Sequence, residues 1–401
     1  MTQGYDLIIR RAQLRGWAAG DLVDIGLAAG RIAAIEARLA GTGETELDAA
    51  GGLVTESYAN PHLHLCKVYT LERMDEAALK DYHGADMGKA MTAIELAARV
   101  KEQYAEGWIL ENVRRAMNDA KRYGCTHIRA FADVDNKARL EGVKAVLKAR
   151  EEYRGVIDLQ VVAFAQDGIL REPGAAEWME QAMALGADVV GGIPWIEYTE
   201  ADIQAHVRFI FDLAVKYDKD VSMLVDDAGD PGLRSLESMA SEAIRRGWQG
   251  RVLAHHARAM ALYPTPYFQK VAALLKQARM GVVSDPHTGP LHARVRELLA
   301  EGCLVCLGQD DISDAYYPFG RNNMPEVAFL AAHLLWFTGR EEIETLYDMV
   351  TTRAAQAMGV KEFGLRVGAP AHLVVLAQKN VVEALRYHEA PRHVISHGKL
   401  I

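Results

Sequence analysis

The sequence predicts an α/β fold: a (β/α)₈ TIM barrel with a small β-sandwich domain formed by the N- and C-terminal segments. After residue 57, eight short apolar runs alternate with amphipathic helical stretches, and eight such units favour a closed barrel over an open sheet. Before residue 57 the strand-like runs are separated by glycines, and strand patterns return after residue 363. No Gly-x-Gly-x-x-Gly follows the first strand, which removes the usual argument for a dinucleotide site.

The predicted elements divide the chain into three segments. Residues 1–56 hold short strands and form the first part of the small domain, residues 57–363 form the barrel, and residues 364–401 complete the small domain. The barrel strands are placed near 58–65, 126–133, 157–164, 187–193, 219–226, 250–256, 280–285 and 303–309. The helices are placed at 91–104, 108–123, 136–152, 175–185, 201–217, 233–247 and 266–279. Several of these helical patterns end in glycine, as helix C-termini do.

Composition and charge exclude several classes of protein. The net charge is −9, without a basic run, so a nucleic-acid partner is not expected. No stretch reaches the roughly 18 apolar residues of a membrane span, and four scattered cysteines do not make a disulfide framework. We therefore expect a cytoplasmic enzyme with reduced thiols and a small-molecule substrate. Lys67 and Arg321 are interpreted as solvated surface charges.

Two histidines, His62 and His64, end the first predicted barrel strand. Side chains two apart on a strand point to the same face, so both imidazoles can reach one point. Imidazole nitrogen is a good ligand for zinc and similar cations. The spacing alone is a weak motif, but polar residues also follow the other strands, and the ends of barrel strands carry the reacting groups in this fold.

These strand-end residues share a position rather than a type. They are His62, His64, Asp133, Asp135, Gln166, Asp167, Trp195, Glu197, Asp226, Asp227, His255, His256, Asp285, His287, Gln309, Asp310 and Asp311. Two histidines on the first strand, one on the sixth and a carboxylate on the eighth predict a cation site across the barrel mouth. A metal there would lower the pKa of bound water towards about 7, and a neighbouring carboxylate would carry the proton to a leaving nitrogen.

Four stretches resemble a known family. They are residues 61–64 (Pro-His-Leu-His), 162–168 (Val-Ala-Phe-Ala-Gln-Asp-Gly), 186–194 and 308–320, the last containing Gln-Asp-Asp-Ile-Ser-Asp-Ala-Tyr-Tyr-Pro-Phe-Gly. Together they resemble the amidohydrolase superfamily, and within it the cytosine deaminase-like branch that also holds the N-isopropylammelide amidohydrolases. The resemblance covers nearly the whole chain. It implies one divalent metal ion (zinc, with iron or manganese as alternatives) and a homo-oligomer.

Carried over by position, the resemblance implies that His62, His64 and Asp310 are metal ligands. It also implies that Asp310 accepts a proton from the bound water and that His256 stabilises the oxygen that becomes negative during attack.

The resemblance also places substrate-binding residues. Gln166 would contact an amide-like ring edge, because its side chain offers both a donor and an acceptor. Asp311 and Tyr316 would line the same pocket. Independently of the resemblance, the aromatic side chains of this region would add flat apolar walls; they are Phe164, Trp195, Tyr198 and Tyr316. This set of contacts suits a small planar nitrogen heterocycle such as a pyrimidine or a triazine.

The chain departs from the family pattern on its fifth strand. Leu224 stands where the family has a metal-binding histidine, and Asp227 stands where it has a proton-carrying glutamate. Phe131 and Gln309 replace two further histidines, and Cys66 replaces an aspartate that often follows the first histidine pair. Leucine cannot bind a metal, so the origin of the missing ligand is open.

Three alternatives explain this gap. Asp226, Asp227 or His255 supplies the ligand, the three remaining ligands hold the metal alone, or the site has lost both metal and hydrolysis. The leading hypothesis is a metal-dependent hydrolase of C–N bonds that deaminates a heterocycle or removes an amino substituent from it. The alternatives are a ring-opening cyclic amide hydrolase and a metal-depleted barrel that only binds a small ligand. The other histidines, including His127, His372 and His397, are assigned no chemistry.

Overall fold

A barrel of eight parallel strands forms the centre of the molecule. The computed structural model describes residues 4–16, 20–74 and 90–401. Its strands are β1 (Tyr5–Gln13), β2 (Leu22–Ala28), β3 (Arg31–Glu36), β4 (Gly43–Asp48), β5 (Val54–Glu56), β6 (Tyr58–Leu63), β7 (Cys125–Asp133), β8 (Asp158–Ala165), β9 (Val189–Gly192), β10 (Asp220–Val225), β11 (Val252–His256), β12 (Gly281–Ser284), β13 (Val305–Leu307), β14 (Leu373–Val375), β15 (His393–Ser396) and β16 (Lys399–Leu400). Strands β6 to β13 lie side by side in sequence order.

The barrel closes between its first and last strands. Leu63 at the end of β6 pairs in parallel with Asp310, three residues beyond β13. The Asp310 amide donates to the His62 carbonyl at 2.9 Å, and the His64 amide donates to the Asp310 carbonyl at 2.8 Å. The prediction of a (β/α)₈ barrel is therefore confirmed, and the eight predicted strands correspond to β6–β13.

Helices connect most of the barrel strands. They are α1 (Ala90–Lys101), α2 (Glu106–Arg122), α3 (Glu141–Glu152), α4 (Ala175–Ala184), α5 (Glu200–Tyr217), α6 (Ser235–Arg245), α7 (Thr265–Ala278), α8 (Val295–Ala300), α9 (Met324–Leu334), α10 (Arg340–Met349), α11 (Thr352–Ala357) and α12 (Val381–Tyr387). Each predicted helix overlaps one of these, with ends that differ by a few residues. Among the described residues, no helix has the length and apolar character needed to cross a membrane.

The barrel strands are covered on both faces, as parallel sheets require. Every residue of β7 is buried, and so are all but two of the residues of β8. The carboxyl-terminal part of β8 is a continuous apolar run, as is usual for strands covered on both faces, whereas β7 also buries the polar side chains of Thr126, His127 and Arg129.

Two four-stranded sheets flank the barrel. The first has the order β3-β2-β1-β4, and the second, antiparallel, has the order β16-β15-β14-β5. One buried apolar cluster takes members from both, among them Ile9 and Ile25 from the first and Leu373 and Ile395 from the second. The two ends of the chain therefore pack together as predicted, whereas the domain boundaries at residues 56/57 and 363/364 stay predictions.

Candidate active site

Both predicted histidines of the first barrel strand are buried at the carboxyl end of β6. The rings of His62 and His64 lie 5.1 Å apart between centroids. Their neighbour across the closing contact is Asp310, which has a left-handed backbone with φ of 65°. For a residue other than glycine this conformation costs about 1–2 kcal/mol, and the two closing hydrogen bonds hold it in place.

Three imidazoles surround one carboxylate oxygen. The Oδ1 atom of Asp310 lies 3.2 Å from His62 Nε2, 3.7 Å from His64 Nε2 and 3.8 Å from His256 Nε2. Burial raises the pKa of the Asp310 carboxyl, but the rings of His256 and His62 outweigh it and hold this pKa well below its usual range. The carboxylate is therefore ionised at neutral pH.

A second carboxylate lies behind these rings. Asp285 Oδ2 is 3.5 Å from His256 Nδ1 and 3.8 Å from His62 Nδ1. Burial raises the pKa of Asp285 to about 7. Glycine at position 308 makes room for this arrangement, because a Cβ there would lie 2.5 Å from Asp285 Oδ1 and 2.7 Å from His62 Cβ. Asp285 thus lies beside the nitrogens of His62 and His256 that face away from Asp310.

The site fits a divalent cation. Ligand atoms of His62, His256 and Asp310 lie within 4.8 Å of one another, and so do those of His64, Asp310 and Asp311. His62 Nε2 is buried and has no well-directed hydrogen bond to any described residue. Imidazole nitrogens with one carboxylate oxygen suit zinc, iron or manganese.

The fifth strand contributes no metal ligand at the position of Leu224. This side chain belongs to a buried apolar cluster with Phe131, Phe164 and Trp195, and Phe131 stacks on the His62 ring at 4.6 Å. The predicted flat wall of Trp195 is thus part of a larger apolar surface. Tyr198, in contrast, is 74% exposed.

Two of the residues considered as replacements for the missing histidine make their contacts outside the cation site. Asp226 accepts hydrogen bonds from the Ser235 and Leu236 amides and from the Tyr263 hydroxyl, at 2.8–3.1 Å. It therefore caps the start of α6. His255 Nδ1 lies 2.7 Å from His62 Nδ1, on the side of the His62 ring that faces away from Asp310. Both alternatives are wrong for the cation site.

Asp227, the remaining residue considered as a replacement, lies near the Nδ1 atom of His256, on the side of the ring that faces away from Asp310. Its Oδ1 atom is 3.1 Å from Arg258 Nε and 3.9 Å from His256 Nδ1. Burial raises the pKa of Asp227 to about 6. His256 Nε2 lies 3.8 Å from Asp310 Oδ1. The strand-end pattern had placed one sixth-strand histidine in the cation site, whereas the resemblance gave His256 the role of stabilising the substrate oxygen.

Lys67 is a residue whose position was predicted wrongly. It is only 4% exposed, and its ammonium donates to Gln166 Oε1 at 2.5 Å and lies 3.5 Å from Asp133 Oδ1. The Lys67 nitrogen also lies 5.1 Å from the centre of the Tyr316 ring. The expectation of a solvated charge fails because two buried groups, Gln166 and Asp133, and the partly buried Tyr316 surround this lysine. Its place three residues after His64 was the available signal.

The remaining substrate-binding candidates are buried near this lysine. Gln166 and Asp311 are buried, and Tyr316 is partly buried. Burial, followed by the charge of Asp310, raises the pKa of Asp311 well above its usual range. Asp314 accepts hydrogen bonds from the Tyr316 and Tyr317 amides at 2.9 and 3.1 Å, which fixes this loop.

A second cation–carboxylate cluster was missed. Lys101, at the end of α1, donates to Asp135 Oδ2 and to Asp167 Oδ1, both at 2.6 Å. It ties the loop after β7 to the loop after β8, one residue beyond Gln166. No signal in the sequence paired these residues, because Lys101 lies on a helix between two barrel strands.

The chain resembles known proteins along its whole length. It is 30% identical over 404 residues to N-isopropylammelide isopropyl amidohydrolase from Pseudomonas sp. (strain ADP), covering 100% of this chain and 98% of that one. It is 26% identical to pterin deaminase from Rhizobium rhizogenes, covering 90% of this chain and 84% of that one.

A solved structure is also similar to this chain over nearly its whole length. The 5-methylcytosine deaminase from Klebsiella pneumoniae, liganded with 5-fluorocytosine, superposes with a TM-score of 0.90 at 31% identity, over 98% of this chain and 97% of that one. A model of the "Amidohydrolase family" matches residues 45–401. The chain therefore belongs to the amidohydrolase family, in the branch resembling cytosine deaminase, and is an enzyme that acts on C–N bonds.

Proposed function

We propose that this enzyme hydrolyses an exocyclic C–N bond of a small planar nitrogen heterocycle, with a divalent cation held by His62, His64, His256 and Asp310. The observation that carries the proposal is the approach of three Nε2 atoms to Asp310 Oδ1, at 3.2–3.8 Å. His256 then takes the place of the histidine that Leu224 replaces. The names of the relatives add support, since ammelide, pterin and methylcytosine are all nitrogen heterocycles.

The residues divide the work of hydrolysis among them. When bound, the divalent cation supplies positive charge that lowers the pKa of a water molecule towards neutrality. Asp310 takes up the proton that this water gives away. Asp227, fixed by Arg258 at 3.1 Å, carries a proton to the leaving nitrogen. Asp285, whose Oδ2 lies 3.5 Å from His256 Nδ1, favours the ring orientation that points Nε2 at Asp310.

Gln166 is the proposed specificity contact. Its Oε1 atom already accepts a hydrogen bond from the Lys67 ammonium. The Nε2 amide group therefore stays available to donate to an oxygen or nitrogen of the substrate ring. The apolar cluster around Leu224 and Phe131 gives the ring a flat surface to lie against. A heterocycle with an acceptor beside the reacting carbon meets both requirements.

Metal analysis combined with a product assay tests the proposal. Protein purified without chelator is assayed for bound zinc, iron and manganese, and then for release of ammonia or amine from aminopyrimidines, aminotriazines and pterins. His62→Ala and His256→Ala should each lose one equivalent of metal together with activity. His333→Ala, which changes an exposed histidine on α9, is the matched control and should keep both.

Other outcomes would point to other functions. Full metal content in His256→Ala would remove His256 from the ligand set. A carboxylate product in place of ammonia would indicate ring opening. Failure of His62→Ala to change the metal content, with no turnover of any heterocycle, would favour a protein that only binds a small ligand. Self-association stays a prediction, which light scattering of the purified protein tests.

A further inference from the structure

A second group of metal-binding side chains lies at the opposite end of the barrel. His127 and Asp158 pair in register at the amino-terminal ends of β7 and β8. His372 directly precedes β14, and His397 follows β15 at the turn into β16. We call these four residues the basal histidine cluster. Two of them belong to the barrel and two to the C-terminal sheet.

Three of the four side chains, those of His127, Asp158 and His372, are close enough to share one ion, and His397 adjoins them through Asp158. Asp158 Oδ2 lies 3.3 Å from His127 Nε2, and Asp158 Oδ1 lies 3.0 Å from His397 Nε2. The His372 ring stands between the other two, with centroid distances of 4.7 Å to His127 and 4.5 Å to His397. Ligand atoms of His127, Asp158 and His372 all lie within 4.8 Å of one another.

Neighbouring hydroxyl groups select which ring nitrogens face the cluster. The Nδ1 atom of His127 bonds to Thr126 Oγ1 at 2.9 Å, and that hydroxyl also bonds to Ser57 Oγ at 2.6 Å. The Nδ1 atom of His372 bonds to Ser396 Oγ at 3.3 Å. Partners of this kind orient metal-binding histidines, and here they leave Nε2 of both rings as the ligand atom.

The charges at this end of the barrel favour a cation over simple ion pairs. Asp158 carries one negative charge and so can neutralise only one imidazolium. The other two histidine rings are then either neutral, or protonated and repelled by the first. Three neutral imidazoles offer lone pairs that a transition-metal cation accepts. His127 and His372 are buried, whereas the side chains of Asp158 and His397 are each 43% exposed. An ion can therefore enter from solvent.

We propose that the basal histidine cluster binds one divalent transition-metal ion, Zn²⁺ by its donor set, which fastens the C-terminal sheet to the base of the barrel. Three histidines and one aspartate fill the four positions of a structural zinc site and leave none open for substrate. The site is thus structural and independent of the proposed catalytic cation. Because two ligands come from each side, the ion stabilises the contact between barrel and sheet.

Zinc stoichiometry in four variants tests this inference. Each protein is stripped with chelator, reloaded with ZnCl₂, dialysed and analysed for metal. The unchanged chain should hold two equivalents. His397→Ala, which changes a half-exposed side chain and should fold normally, should hold one, and so should His372→Asn. His62→Ala should also hold one, and His333→Ala should hold two.

Thermal unfolding supplies an independent readout. Excess ZnCl₂ should raise the Tm of the His62→Ala protein, in which only the basal cluster remains, because a ligand that binds only the folded state stabilises it. The same addition should leave the Tm of His62→Ala/His397→Ala unchanged. Unaltered zinc content in both His397→Ala and His372→Asn would overturn the inference. If only the proposed catalytic site failed to bind metal, the unchanged chain and His62→Ala would each hold one equivalent of zinc, and His397→Ala would hold none.

Discussion

Replacing Lys101 with methionine should destabilise the mouth of the barrel strongly. The Lys101 side chain is 2% exposed and lies between Asp135 and Asp167, with N–O distances of 2.6 Å to each. At an effective dielectric constant of about 20, each contact carries about 6 kcal/mol of attraction, much of which offsets the cost of burying the charges. Methionine keeps a similar unbranched stem, so the change removes mainly the charge.

The expected loss is about 3–5 kcal/mol of unfolding free energy, because removing one partner of a buried ion pair leaves the other charge uncompensated. Urea unfolding at pH 7, followed by tryptophan fluorescence and circular dichroism, measures it. Adding Asp135→Asn to Lys101→Met should recover part of the loss, since asparagine keeps the Oδ1 acceptor that the Lys137 and Ala138 amides use.

An exposed lysine provides the matched control. Lys216 pairs with Glu180 on the surface, where its side chain is 61% exposed, and Lys216→Met should leave the urea midpoint unchanged. If Lys101→Met shifted the midpoint no more than Lys216→Met does, the cluster would not hold the loops together and the reasoning would be refuted.

Three further results are expected. Asp227→Asn should lower kcat by about 10²–10⁴-fold, the usual contribution of general acid–base catalysis, without loss of metal; normal turnover would remove Asp227 from the mechanism. Stability should fall as the pH drops below about 6.5, because burial lowers the pKa of His206 and only the unfolded chain then takes up that proton. It should fall further below about 4.5, because hydrogen bonds from His206 and the backbone outweigh burial and lower the pKa of Glu197. Glu197→Gln should reduce this second step in urea midpoints measured from pH 3 to 7, while the other carboxyls with lowered pKa values, such as Asp310, keep part of it. Finally, Ellman's reagent should react with no thiol in the native protein and with four thiols in denaturant. All four cysteines are buried, and burial raises the pKa of Cys125 to about 12. Rapid reaction with the native protein would contradict this burial.

The sequence predicted what depends on local pattern. Strand-like runs alternating with helical patterns identified the barrel strands, and the i, i+2 spacing placed His62 and His64 on one face. The resemblance added Asp310, and the structure brings its carboxylate to both rings. These successes need only the alternation of a strand and the rule that strand ends meet at one face of a barrel.

What the sequence missed depends on distances across the barrel. Which of His255 and His256 approaches Asp310 depends on the left-handed backbone at His256, with φ of 64°, which strand periodicity does not reveal. Lys67 has a long flexible side chain, so its burial beside Gln166 depends on which groups surround it. The basal histidine cluster joins strands that are distant in sequence, and no single segment carries its pattern.

The closing contact of the barrel has a consequence for how the site responds to strain. Asp310 donates and accepts the two backbone hydrogen bonds that join β6 to the end of the last barrel strand, and its carboxylate faces the three imidazoles. Separation of this seam would move Oδ1 away from the rings, so the geometry of the proposed cation site depends directly on closure of the barrel. The amide protons of His64 and Asp310 therefore report on both, and slower hydrogen exchange at these two positions on metal binding would be the signature of that coupling.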